Sequence, residues 1–462
     1  MRIIILGAGR VGESVAESLA LEHNDITVID PDPDRVLALQ DRLELRGVVG
    51  NGIQSSVMRQ AGAQDADMFV ACAALDETNL VACKVAHTIF GIPTTIARVR
   101  LQEFSEPGPL LDKTGFAVDR VICPEESVTR YIHQLIANPE ALQVLDFAQG
   151  RVILAAVRVS AESDLAGAPI GAFADRHTEM EMRIVAVYRG HHELAVEPGT
   201  VVHAGDEVLV MVNRAAVRPT LRAIAGQERT VRRVMIAGGG KVGLRLARSL
   251  VGQCEVKLIE HDRKRAEYLA SELPAGTLVL QGDASDEQLL TGEHVDDMDL
   301  FLALTNVDED NIMSTMLAKR LGARRVLALI NRRAYADMMQ GSAIDISVSP
   351  AQTVIGELLA HVRRGAVAAV HSLRHGTAEA LEGVAHGDAR TSNLVGRRVE
   401  QIKLPRGARL GAIVRGEGDA CRVLMPHHDT VIEPEDHVVI FVAHKRLLRD
   451  VEKLFQVGAT FL

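Results

Sequence analysis

The 462-residue chain has no tryptophan, and aromatic residues make up only 3% of it. Few ring faces are therefore available for stacking the bases of a single strand. Basic side chains are also in deficit: 51 Lys and Arg stand against 61 Asp and Glu, a net charge of −10. That sign argues against a nucleic-acid partner. No apolar run reaches 18 residues, so no segment is expected to cross a membrane as a helix. The opening MRIIILGAG reads as a buried strand and lacks the apolar length and cleavage site of a signal peptide. The five cysteines (Cys72, Cys83, Cys123, Cys254, Cys421) lie far apart, with no C-x-x-C and no histidine at ligand spacing. They are expected to be reduced packing residues of a cytosolic protein, and no metal site is expected.

What the chain does contain is a phosphate-cradling loop that occurs twice. IIILGAGRVG carries Gly7, Gly9 and Gly12, and VMIAGGGKVG carries Gly238, Gly240 and Gly243, 231 positions on. Each follows a buried-strand pattern and opens a helical one. In the first half Val11, Val15, Ala16 and Leu19 recur at helical spacing. The strand ITVID then ends at Asp30, and its counterpart VKLIE ends at Glu260. DADMFVACAALDETN matches DDMDLFLALTNVDEDN, and TVVHAGDEVLVMVNR matches TVIEPEDHVVIFVAH. The repeat therefore spans the chain in the order A–B–A′–B′.

Strand–helix alternation in the A segments specifies α/β domains: tandem Rossmann-like, doubly wound parallel sheets. Each is followed by a small, β-rich α+β domain. The expected boundaries are 1–123 for the first Rossmann-like domain, 124–149 for crossover helices and 150–217 for the first small domain. In the second half they are 231–350, 351–368 and 369–454. The stripe Val128, Ile132, Leu135 and Ile136, stopped at Pro139, marks the first crossover. It has two readings, packing on a partner subunit or on its own domain.

The residues at each glycine loop have separate tasks. The first glycine permits the turn, the second lets backbone approach phosphate, and the third lets helix pack on strand. The helix start offers unpaired N–H groups and a positive dipole end. Asp30 and Glu260 stand where an acid accepts from adenosine ribose hydroxyls, which disfavours a 2′-phosphate. That position does not separate NAD(H) from ATP or ADP. Arg10 and Lys241 share a slot inside the loops, and either meet an anion or face solvent. Asn51 and Asp283 either receive an adenine amino group or close a turn. Asp76 and Asp308 read as helix N-caps. Arg98 and Arg100 end the fifth strand, where guanidinium groups can clamp phosphate. The second half has Leu329 and Asn331 there, with Arg332 and Arg333 displaced, so the two clefts should differ. The pairs His191–His192 and His427–His428 read as exposed turn residues.

With these motifs the chain resembles the TrkA family of bacterial Trk potassium uptake systems. These are tandem RCK proteins built from two RCK N-terminal (KTN) and two RCK C-terminal domains. The likeness covers essentially all 462 residues and is especially close over 3–41 and 65–86. It implies a non-enzymatic regulatory subunit in the cytoplasm, peripheral at the inner face of the cell membrane. It further implies a homo-oligomeric ring of RCK domains, a homotetramer, that gates a Trk-type membrane potassium transporter subunit. The resemblance assigns NAD(H), with ATP or ADP as further ligands, to the glycine clefts. By position Gly7, Gly9, Arg10, Val11, Gly12, Asp30, Asn51 and Arg98 fall to the first cleft. Gly238, Gly240, Lys241, Val242, Gly243, Glu260 and Asp283 fall to the second. Asn51 departs from the family's usual aspartate, and Leu329 from its arginine.

Two other classes fit less well. An NAD-dependent oxidoreductase needs a general acid or base beside the nicotinamide, and no His–Asp or Tyr–Lys constellation is legible. A redox-sensing repressor needs a basic DNA-binding module, and no residues remain for one.

Overall fold

The computed structural model describes residues 1–462 apart from 21, 23, 102–103, 105–107, 191, 227–229, 340–341, 363–366, 374–376, 417, 419–420 and 459–462. It forms two compact units: Met1–Thr129 with Leu329–Tyr335 and Val348–Val362, and Arg130–Ala328 with Ala336–Ser347 and Arg363–Leu462.

The first sheet holds β1 (Arg2–Leu6), β2 (Asp25–Asp30), β3 (Arg46–Val49), β4 (Met68–Ala71), β5 (Thr94–Arg98) and β6 (Arg120–Ile122). They run parallel in the order 3-2-1-4-5-6, the doubly wound arrangement. Ile3, Ile4, Ile5 and Leu6 are all buried, as a central parallel strand covered on both faces requires. The helices are α1 (Arg10–Ala20), α2 (Pro33–Gln40), α3 (Ser55–Gln60), α4 (Asp76–Phe90) and α5 (Pro124–Ala137).

The second sheet is antiparallel: β7 (Ala141–Phe147), β8 (Val152–Arg158), β9 (Met182–Arg189), β10 (His192–Leu194) and β11 (Glu207–Asn213), with α6 (Ile170–Arg176) and α7 (Val217–Ala225). Its order is β10-β9-β11-β8-β7. The third sheet repeats the first with β12 (Arg233–Ala237), β13 (Glu255–Glu260), β14 (Thr277–Gln281), β15 (Leu300–Ala303), β16 (Val326–Leu329) and β17 (Ile346–Val348), in the order 14-13-12-15-16-17. Its helices are α8 (Lys241–Leu250), α9 (Arg263–Glu272), α10 (Glu287–Gly292), α11 (Asp308–Arg320), α12 (Arg333–Met338) and α13 (Pro350–Val362). The fourth sheet repeats the second with β18 (Val367–Leu373), β19 (Ala378–Val384), β20 (Ala408–Arg415), β21 (Arg422–Leu424) and β22 (His437–Val442), followed by α14 (Leu448–Glu452).

The crossover segments depart from expectation in two ways. Residues 141–147 form the strand β7, paired with β8, so the helix stops at Ala137 short of the expected 149. Pro139 breaks it, and the alternation through LQVLDF suits a strand. Nor does either crossover pack on its own half alone: Glu125 of α5 pairs with Arg98 of the first half, and both helices also reach the other half. In the first unit α13, from the second half, packs on α1 of the first half. In the second unit His133 of α5 hydrogen-bonds Ser249 on α8, and Arg325 donates to the carbonyls of Pro139 and Ala141. Each half thus lends its crossover to the other.

Also in the second unit, the two antiparallel sheets share one core. Leu145, Phe147, Leu154 and Met211 meet Ala380, Ala412, Val439 and Phe441 there. The seam is close: a Cβ on Gly411 would lie 1.9 Å from the Met211 sulfur. Polar groups also cross it. Arg409 donates to Val185 O (2.8 Å) and Glu193 (2.9 Å), and the buried Glu382 accepts from Ala148 N–H at 2.7 Å.

Candidate functional site

Geometry gives each glycine its task. Gly7 has φ +102°, and a Cβ there would meet the Cys72 backbone at 2.9 Å. A Cβ on Gly12 would fall 1.8 Å from Gly7 O, so the helix reaches the turn only without one. A Cβ on Gly9 would meet no atom within 4 Å, which leaves its backbone open where a phosphate would approach. The second loop copies this. Gly238 has φ +104°, a Cβ on Gly243 would lie 2.0 Å from Gly238 O, and one on Gly240 would meet nothing within 4 Å. Gly240 is the N-cap of α8 and brings no side-chain acceptor, so the first N–H groups and the positive dipole end are left for a ligand. Lys241 is exposed at that start.

The acids hold their loops. Asp30, 5% exposed, accepts from Ala8 N–H at 2.6 Å and from Asp32 N–H at 2.9 Å. Glu260 accepts from Gly239 N–H at 2.8 Å and from Asp262 N–H at 2.9 Å. Each carboxylate thus ties the glycine turn to the end of the second strand, with lone pairs left over for a diol. The loops differ at two positions, Arg10 against Lys241 and one more. Gly239 replaces Ala8, and a Cβ there would sit 2.1 Å from Leu269. Arg265, overlooked in the sequence, donates from Nε to Gly239 O at 2.9 Å and lies over the Tyr268 ring at 4.9 Å. Its one legible signal is that Arg35 and Arg265 follow their acids by the same five positions.

Asn51 and Asp283 close turns, Asn51 accepting from Ile53 N–H (3.1 Å) and Asp283 from Ser285 N–H (2.8 Å) and Oγ–H (2.7 Å). These contacts hold the Asp283 carboxyl below its ordinary range. Asp76 is not a cap. Leu75 and Val307 occupy the N-cap positions of α4 and α11, and Asp76 instead accepts from the N–H groups of Arg100 (2.8 Å) and Leu101 (3.1 Å). Asn79, fully buried, staples Ala73 to Arg98 O.

Arg98 is in the cleft's wall. Its Nη2 donates to Glu125 Oε1 at 3.2 Å, and Arg100 Nε lies 3.6 Å from the same oxygen. Burial lifts the Cys72 thiol to about 12 against the pull of the Arg98 charge, and the Cys72 backbone lies beside Gly7. Ala97 faces Ala71 as Ala328 faces Ala303, and the next residues are Arg98 and Leu329. The register therefore puts leucine at the arginine's position.

Among the described residues no three metal-ligating side chains gather. His192 begins the strand β10, where a turn was expected, while His427 and His428 are exposed in a loop. His191 lies outside the described residues. No described helix is long and apolar enough to cross a membrane.

Known proteins agree with this architecture. The model of the TrkA-N domain matches residues 3–124 and 234–350, and that of the TrkA-C domain matches 154–225 and 389–456. The Trk system potassium uptake protein TrkA of Halomonas elongata is 48% identical over 462 residues, covering 100% of both chains. That of Vibrio alginolyticus is 47% identical over 463 residues, again covering 100% of both. In fold, the GsuK channel bound to NAD superposes with a TM-score of 0.61 over 98% of this chain and 78% of its own, at 18% identity. Two matched domain pairs and full-length relatives lead to one conclusion: the chain belongs to the TrkA family of Trk system potassium uptake proteins.

Proposed function

We propose that the chain is the nucleotide-sensing regulatory subunit of a Trk-type potassium uptake system. It binds NAD(H), and ADP or ATP, and gates a membrane potassium transporter subunit. The observation that carries this reading is the doubled cleft. In both halves an acid holds the glycine turn while a helix start stands open beside it. NAD is a reasonable ligand because the GsuK channel, of the same fold, is known in complex with it.

The residues proposed to bind nucleotide in the first cleft are Gly7, Gly9, Arg10, Val11, Gly12, Asp30, Asn51 and Arg98. In the second they are Gly238, Gly240, Lys241, Val242, Gly243, Glu260 and Asp283. The chain performs no chemistry. A ligand acts by binding two arrangements of the protein unequally, which is the only way it can shift them. The working form is a homo-oligomeric ring, a homotetramer, at the cytoplasmic face of the membrane.

The test pairs binding with transport. Asp30→Ala with Glu260→Ala should abolish nucleotide binding in calorimetry and, in cells, remove the nucleotide dependence of potassium uptake. Uptake that stays nucleotide-dependent after binding is lost would defeat the proposal.

A further inference from the structure

Among the described side chains, Glu125 is shared by two cations. Two guanidinium groups, Arg98 and Arg100, converge on one carboxylate oxygen, at 3.2 and 3.6 Å. The Arg98, Arg100 and Glu125 side chains are 15%, 26% and 18% exposed, so solvent screens these contacts only partly. The Nε atoms of both arginines are buried and have no hydrogen-bond acceptor among the described residues. Buried donors left in this way call for a further anion. Glu125 is also the second residue of α5, where its charge suits the helix dipole.

The second half lacks the whole set. Where the first half has Arg98, Arg100 and Glu125, the second has Leu329, Asn331 and Ala351, the last placed by Pro124 and Pro350, which begin α5 and α13. Arginines and acid are lost together. That fits a unit in which the carboxylate exists to neutralise the arginines, because a buried charge without its partner is costly.

We infer that Glu125 is a built-in competitor for phosphate. When a nucleotide with a terminal phosphate enters the first cleft, that phosphate takes Arg98 and Arg100 from Glu125, whose carboxylate returns to solvent at the start of α5. A phosphate monoester offers more charge and more acceptor oxygens than one carboxylate, so it can fill the empty Nε donors as well. NAD⁺ has only an internal pyrophosphate and leaves the Glu125 contacts in place. Glu125 thus sets the first cleft's preference between dinucleotides and nucleoside di- and triphosphates. The inference rests on the nucleotide-binding reading above and adds to it a residue that determines specificity.

Calorimetry on the full chain without divalent cations tests it, with ADP, ATP and NAD⁺ as probes and Asp30→Ala marking the first cleft's signal. Glu125→Gln should tighten ADP and ATP about tenfold, roughly the worth of one charged contact, and leave NAD⁺ affinity within about twofold. In an Arg98→Gln plus Arg100→Gln background, Glu125→Gln should change nothing. If Glu125→Gln leaves ADP and ATP affinity unchanged or weakens it while NAD⁺ still binds, the competitor is overturned and the cleft stands. If the wild-type chain binds none of the three probes, the nucleotide reading falls and this one with it.

Discussion

Asp206 and Asp436 hold the same place in the two antiparallel sheets, each just before a central strand. Asp206 takes both a bidentate contact from Arg189 (2.9 and 2.8 Å) and the His203 N–H (2.8 Å); Asp436 does the same with Arg415 and Glu433 N–H. Both acids are buried, at 2% and 0% exposure. The Arg189 guanidinium holds the Asp206 carboxyl below the usual carboxylate range. A depressed folded value means the contribution is present above the unfolded pKa of about 3.9 and is lost as pH falls through the folded value. Asp206→Asn should therefore cost on the order of 2–3 kcal/mol at neutral pH, read by urea denaturation. The difference from wild type should shrink as the pH drops toward 3. A deficit that persists unchanged there would remove the ionic explanation. These acids were visible in the aligned GDEV and EDHV but carried no readable task. Their partners lie 17 and 21 residues away along the chain, across hairpins that only the fold closes. Asp30 and Glu260 were legible for the opposite reason, since a local motif fixes their distance from the glycines.

Among the elements, α5 is the most instructive. Its apolar stripe was readable, and Val128, Ile132 and Leu135 are buried as the spacing requires. What those residues pack on was not readable, because periodicity marks a buried face and says nothing of the element that covers it. Part of the cover comes from within the same chain: Tyr131 joins the core shared by the two antiparallel sheets, and His133 meets Ser249 of the second half. The strand β7 was lost in the sequence because its apolar residues follow the helix after only three residues, and short apolar runs are ambiguous. Ile132 is fully buried on α5, so Ile132→Ala should cost about 2–5 kcal/mol in denaturant unfolding. A cost below 1 kcal/mol would mean that the exchanged helix contributes little to holding the second unit together. His133 sits on the next position, and burial pushes its imidazole pKa down, consistent with a neutral ring meeting Ser249.

At the scale of the whole molecule, the repeat was the most legible feature, because duplication copies glycines, acids and strand patterns alike. The divergence inside the repeat took structure to interpret: Leu329 against Arg98 could be read, whereas the matching loss of Glu125 could not. The shared core of the two antiparallel sheets was likewise invisible. Gly411 is the residue skipped at the irregularity in β20, between Leu410 and Ala412. Overfilling that point, Gly411→Val should destabilise by about 1–3 kcal/mol, seen as a lower urea midpoint with the slope unchanged. A neutral result would mean that the seam yields easily.

The Gly411 notch has a consequence for how the two halves recognise each other. The corresponding skipped residue in β9 is Val185, which lies between Ala186 and Ile184 where the pairing shifts. If two first halves met in the same way, an isopropyl group would occupy the space that glycine leaves for Met211. The seam is therefore asymmetric: the close approach that Gly411 permits to Met211 has no equivalent at Val185. On the cost expected for Gly411→Val, crowding at that point is worth about 1–3 kcal/mol, a bias toward joining unlike halves and not a bar to joining like ones.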